Sequence, residues 1–151
     1  MIGTTFGKPF SKFHIPCCHA NLESVWDWET QKPINHFSNG NTEGGAVTTL
    51  RLINEDDHAF LLTGSVDGAV RIFKHYEDGK NTQVLTAFNA LPKPDPITNN
   101  HSLVLDWIQG RGWILGAGDA KSIRVWSAHT ELLDHVCFFS NTLFNSRLFS
   151  N

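Results

Sequence analysis

One pattern recurs along the chain and restricts its fold more than anything in its composition. The segments Asn21-Leu22-Glu23-Ser24-Val25-Trp26-Asp27, Asp67-Gly68-Ala69-Val70-Arg71-Ile72-Phe73-Lys74 and Asp119-Ala120-Lys121-Ser122-Ile123-Arg124-Val125-Trp126-Ser127 can be laid over one another. Each carries a β-branched residue followed by a large aromatic. The aromatics Trp26, Phe73 and Trp126 recur at intervals of 47 and 53 residues. Repeats of this size are supersecondary units that cannot bury their apolar faces alone and must stack on copies of themselves. The longer second interval holds a Pro- and Asn-rich insertion, Leu91-Pro92-Lys93-Pro94-Asp95-Pro96-Ile97-Thr98-Asn99-Asn100.

Within each period the pattern is that of strands. Val47 to Ile53 alternates over part of its length, Ala59 to Gly64 is a short apolar run, Val70 to Phe73 alternates again, and Val84 to Phe88 closes the unit. The third unit repeats this with Ser102 to Trp107, a Gly110-Arg111-Gly112 turn, Trp113 to Gly118, and Ile123 to Trp126. Asn54-Glu55-Asp56-Asp57 and Val66-Asp67-Gly68 have the chemistry of turns. Four strands per unit at this period predict an all-β fold, a partial WD-repeat β-propeller of about three four-stranded blades with its ring not closed. The expected division is an irregular segment 1–20, a partial blade 21–45, a blade 46–90, a partial blade 101–136 and a tail 137–151. Three blades leave two faces open. At about 25 cal/mol per Å², roughly 400 Å² of apolar surface per open face is worth about 10 kcal/mol, comparable to a domain's whole stability. The isolated chain is therefore expected to be marginal, aggregation-prone or dependent on a partner.

In WD repeats an aspartate before the aromatic strand accepts hydrogen bonds from turn amides and, in many blades, from a His linked to a Ser or Thr and to the Trp indole. Asp67, followed by Gly68, fits that place, and Asp119 fits with one extra residue before its aromatic. No Gly-His dipeptide precedes either unit, and Phe73 has no N–H to give. Asp67, Gly68 and Asp119 are thus expected to serve as blade-turn residues, and Trp26, Phe73 and Trp126 as blade core.

Other chemistries find little support. The net charge of -3, from 12 basic and 15 acidic residues, offers no basic stripe for nucleic acid or an anionic membrane. The N-terminus lacks a signal-peptide pattern and no long apolar run occurs, so a cytoplasmic location without an integral membrane segment is expected. Cys17, Cys18 and Cys137 form no disulfide framework. In His14-Ile15-Pro16-Cys17-Cys18-His19 the adjacent cysteines cannot easily take two corners of one tetrahedron, so no metal is expected there. Gly116-Ala117-Gly118-Asp119-Ala120-Lys121-Ser122 lacks the glycine a phosphate loop needs before its lysine and leads into a strand. Asp56, Asp57, Asp106 and Asp119 are assigned to turns and strand ends, and Cys137 has no His or Asn context of a nucleophile. Neither an enzyme nor a cofactor is expected.

The ordered string Val25-Trp26-Asp27-Trp28-Glu29, His36-Phe37-Ser38-Asn39-Gly40-Asn41, Leu61 to Lys74, Leu85-Thr86-Ala87-Phe88, Leu103-Val104-Leu105-Asp106-Trp107 and Gly118 to Trp126 resembles the C-terminal WD-repeat domain of Raptor, the regulatory scaffold of target-of-rapamycin complex 1. The last segment shares that family's longer spacing between Asp and Trp. The similarity covers roughly residues 20 to 135. The family's caspase-like region and helical repeats have no counterpart in this sequence, and residues 1–20 and 137–151 match nothing in the family, the pattern of a truncated gene product. The resemblance implies a non-catalytic scaffold that presents substrates to a growth-controlling kinase, with that kinase and its substrates as protein partners. It also implies a cytoplasmic complex able to associate peripherally with lysosomal or vacuolar membranes. No partner-binding residues carry over. The competing expectation is an unrelated WD-repeat adaptor.

Overall fold

The computed structural model describes residues 13–14, 22–41, 46–55, 57–91, 103–118 and 122–138, and their regular structure is almost wholly antiparallel sheet. Three sheets follow one another along the chain. The first holds β1 (Phe13–His14), β2 (Leu22–Asp27) and β3 (Lys32–Ser38) in that spatial order. The second is a four-stranded meander of β4 (Val47–Ile53), β5 (Phe60–Ser65), β6 (Ala69–Lys74) and β7 (Gln83–Asn89). The third repeats that meander with β8 (Val104–Ile108), β9 (Trp113–Ala117), β10 (Ser122–Ser127) and β11 (Leu132–Phe138). Two four-stranded antiparallel sheets beside a third, with no closure, are the expected partial propeller. The Gly110-Arg111-Gly112 turn adopts a single 3-10 turn, Gln109–Arg111, stopped by Gly112 at φ 62°.

The middle sheet explains why the strands are so apolar. Side chains alternate across a strand, so neighbours in sequence point to opposite faces. Leu61 joins Val25, Phe73 and Tyr76 in a core against the first sheet. Its neighbour Leu62 joins Val70, Ile72, Leu105, Ile114 and Trp126 in a core against the third. Both leucines are essentially inaccessible to solvent. Burying each is worth about 1.5–3 kcal/mol relative to exposure, and a sheet that does so on both faces must read as a continuous apolar run. The last strands β7 and β11 lie at sheet edges, and Val84, Leu85, Leu132 and Phe138 on them are exposed.

The second and third sheets meet closely at β4 and β8. Thr49 Oγ1 donates to the Leu103 carbonyl at 2.8 Å and accepts from the Leu105 amide at 3.3 Å. Thr48 Oγ1 donates to the same Leu103 carbonyl. Gly64 permits this approach, since a Cβ there would lie 2.9 Å from Leu105 Cδ1 and 3.2 Å from Leu103 Cδ2. Gly64→Ala is therefore expected to destabilise the chain by about 1–3 kcal/mol, because Leu105 is fully buried and has little room to yield. Urea denaturation measures it, and an unchanged midpoint would show that the sheets are not in tight contact.

Candidate functional site

Among the described residues the features that could carry function are the junctions between sheets, and the same devices recur at both. Every pairing of an aromatic-bearing strand with the strand that follows shifts register just before the aromatic: between Val25 and Trp26, between Ile72 and Phe73, and between Val125 and Trp126. The extra residue lies on the following strand each time, at Ile34, Leu85 and Asp134, and such a bulge bends that strand and raises its local twist. Phe73 and Trp126 face the preceding sheet. Phe73 meets Phe37 of β3 with ring centroids 5.0 Å apart, and Trp126 meets Phe88 of β7 at 5.1 Å, both tilted. Such tilted pairs contribute about 0.5–1.5 kcal/mol beyond the area they bury.

An arginine two residues before the aromatic fixes each junction at its polar edge. Arg71 Nη2 donates to the Gly40 carbonyl and Arg124 Nη1 to the Ala90 carbonyl, both at 3.0 Å, each just beyond the last strand of the preceding sheet. Arg-Ile-Phe and Arg-Val-Trp are the sequence signal for this device. Around Arg71 the polar network is extensive. Asp67 Oδ1 accepts from the Ser65 hydroxyl at 2.5 Å and the Ala69 amide at 3.0 Å, and its Oδ2 lies 3.5 Å from Arg71 Nη2. Arg71 Nη1 donates to Asn41 Oδ1 and Ser65 Oγ at 2.8 and 3.1 Å. Asn39 bonds both Asn41 and Thr63. Burial alone would raise the Asp67 pKa, but the Ser65 hydroxyl, the Ala69 amide and the Arg71 charge together hold it below the ordinary range. Arginine thus supplies the charged partner beside the turn aspartate. Gly68, at φ 78°, sits in a left-handed conformation that disfavours a side chain.

Trp26 is half-buried, and its indole Nε1 has no hydrogen-bond partner. Asp119 lies outside the described residues, as do Asp56 and the Cys17-Cys18-His19 group. Asp57 pairs with His58 at 3.8 Å on the surface. Asp106 lies within β8 rather than at a turn, exposed and 3.9 Å from Arg51 Nε. Cys137 is a free, exposed thiol. No cluster able to hold a metal occurs among the described residues.

A buried carboxylate escaped the sequence reading. Glu23 on β2 is inaccessible to solvent and neither of its oxygens has a hydrogen-bond partner, so burial raises its pKa to about 7. It shares the inward face of Val25, and nothing in the alternation of the segment distinguishes it from a solvated residue.

Blades stacked by one repeated aromatic and arginine device define a segment of a WD-repeat-type β-propeller, a platform built from interfaces. Known proteins narrow this further. No protein-family profile matches the chain. It is 44% identical over 111 residues to target of rapamycin complex 1 subunit KOG1 of Saccharomyces cerevisiae, covering 74% of this chain and 7% of that protein. It is 38% identical over 112 residues to target of rapamycin complex 1 subunit mip1 of Schizosaccharomyces pombe, covering 74% and 8%. The crystal structure of Chaetomium thermophilum Raptor superimposes with a TM-score of 0.77 at 38% identity, covering 85% of this chain and 12% of that one. The chain is a homologue of the Raptor subunits of target of rapamycin complex 1, and it spans only about a tenth of their length.

Glu23 gives this site its pH dependence. Below 4.5, the ordinary carboxylate value, folded and unfolded states both hold the proton; as pH rises, the unfolded chain releases it while the folded chain keeps it to about 7. Stability should therefore fall across that window and level off above it. Urea titrations at several pH values measure the slope, and Glu23→Gln should flatten it. A slope that persists in Glu23→Gln would assign the effect to another group.

Proposed function

We propose that the chain is a non-catalytic scaffold element acting in a target-of-rapamycin type kinase assembly, where it contributes part of the surface by which the regulatory subunit joins the kinase and its substrates in nutrient-controlled growth signalling. The observation that carries this is the match to Raptor subunits over three consecutive sheets, supported by relatives named as subunits of that complex and as regulatory-associated proteins of TOR. The same reading divides the chain into blades at 21–45, 46–90 and 101–136. It gives Trp26, Phe73 and Trp126 to blade cores and Asp67, Gly68 and Asp119 to blade turns, so none of these residues contacts a substrate. The protein works in the cytoplasm, with any membrane association peripheral and made through the complex. No helix among the described residues is long and apolar enough to cross a membrane.

Affinity purification of the tagged full chain from its own cells, followed by detection of the target of rapamycin kinase, tests the reading. Co-purification is expected, and it should fall at least severalfold for Leu62→Asp, which places an unpaired charge in the core between the second and third sheets. Recovery of the intact chain without kinase would overturn the proposal.

A further inference from the structure

Between the second and third sheets the blades diverge outward and leave a cleft of about 680 Å³. Its floor is apolar, formed by Phe60, Ile72, Phe88, Trp107, Ile114 and Trp126. One wall has an unusual composition. Leu85, Thr86, Ala87 and Phe88 all line the cleft, although alternate residues of a strand point to opposite faces. Thr86, Ala87 and Phe88 are regularly paired, and three such consecutive residues can line one cleft only if it reaches the edge of β7 itself. Among the described residues no strand pairs with that edge, and Leu85, the residue that the β6–β7 bulge leaves out of the ladder, stands half-exposed upon it.

The opposite wall is polar and held in place. Gln109 Oε1 accepts from Trp107 Nε1 at 2.6 Å and from the Asn54 amide at 3.2 Å, while its Nε2 donates to Asn54 Oδ1 at 3.3 Å. Beside it, the Arg111 guanidinium lies over the Trp113 ring, 4.6 Å from the centroid, with no carboxylate partner among the described residues. A strand edge free among the described residues, an apolar trough and the Arg111 cation on the far lip, with Glu131 the one carboxylate that also lines the cleft, together describe one kind of occupant.

We propose that this cleft binds an extended peptide segment of a partner protein, which adds to β7 as a further strand and directs an apolar side chain onto the floor and a carboxylate to Arg111. Backbone pairing gives affinity in such strand addition, and pockets for alternate side chains give specificity. The apolar and acidic residues sit two apart, since that spacing places both on one face of the added strand. The site is independent of kinase association: a chain that purifies without kinase would still bind such a peptide, and a chain that purifies with kinase need not.

The test uses the full chain and the blocked peptide acetyl-Thr-Leu-Thr-Glu-Thr-amide, with a lysine in place of glutamate as its control. Tryptophan emission from Trp107 and Trp126 reports occupancy. The glutamate peptide is expected to bind saturably and about tenfold more tightly than the lysine peptide, the size of a charge-assisted contact. Gly110→Trp should abolish binding of both. Gly110 lines the cleft and a Cβ there meets nothing within 4 Å, so the cleft wall has room for this bulk without disturbing the fold, which an unchanged circular dichroism spectrum verifies. Arg111→Ala should bring the two peptides to equal affinity. Equal binding of the two peptides to the parent chain, undiminished binding to Gly110→Trp, or no binding up to about 1 mM would each overturn the proposal.

Discussion

Everything in this structure depends on burying both faces of an antiparallel sheet. A sheet with one apolar face can rest on a core and turn its other side to water. The middle sheet cannot, because Leu61 and Leu62 point in opposite directions and both are fully buried. Its stability is therefore inseparable from that of its neighbours. The repeat seen in the sequence is the consequence: a unit that needs a copy of itself on each side is naturally built by repetition.

Repetition works only if each junction has the same geometry, and three local devices enforce it. A bulge on the following strand lies opposite the aromatic, the aromatic seats against a phenylalanine of the preceding sheet, and an arginine on the same face anchors the connecting segment through a backbone carbonyl. The first sheet keeps the bulge and aromatic at Val25-Trp26 but carries Ser24 where the others have arginine. Ser24 Oγ bonds His36 Nδ1 within its own sheet at 3.0 Å. Asn35 Nδ2 supplies that sheet's link forward, donating to the Tyr76 carbonyl at 2.8 Å and to Thr82 Oγ1 at 2.9 Å.

The strand pattern and the aromatic period were legible in the sequence because they are local. Alternation and turn chemistry placed the strands from Val47 to Phe88, and the ordered resemblance named the family. What could not be seen depends on partners distant in the chain. Arg71 reaches Gly40 and Arg124 reaches Ala90, separations of 31 and 34 residues. Asn39 and Asn41 are buried links to Thr63 and Arg71, partners 24 and 30 residues away. Asp106 is expected at a turn or strand end but falls inside β8, because only four residues separate that strand from the next. Glu23 gave no signal at all: a carboxylate in an alternating strand is expected to face water, and its burial shows only in the folded chain. The cleft beside β7 likewise exists only where two sheets diverge.

Native-state amide hydrogen exchange tests the two-faced burial most directly, because it ranks local stability along the chain. The account predicts the slowest exchange at paired amides of β5 and β6, around Leu61, Leu62, Ile72 and Phe73, with β7 and β11 opening far more readily. Slowest exchange in the first or third sheet, or uniform protection across all three, would contradict it.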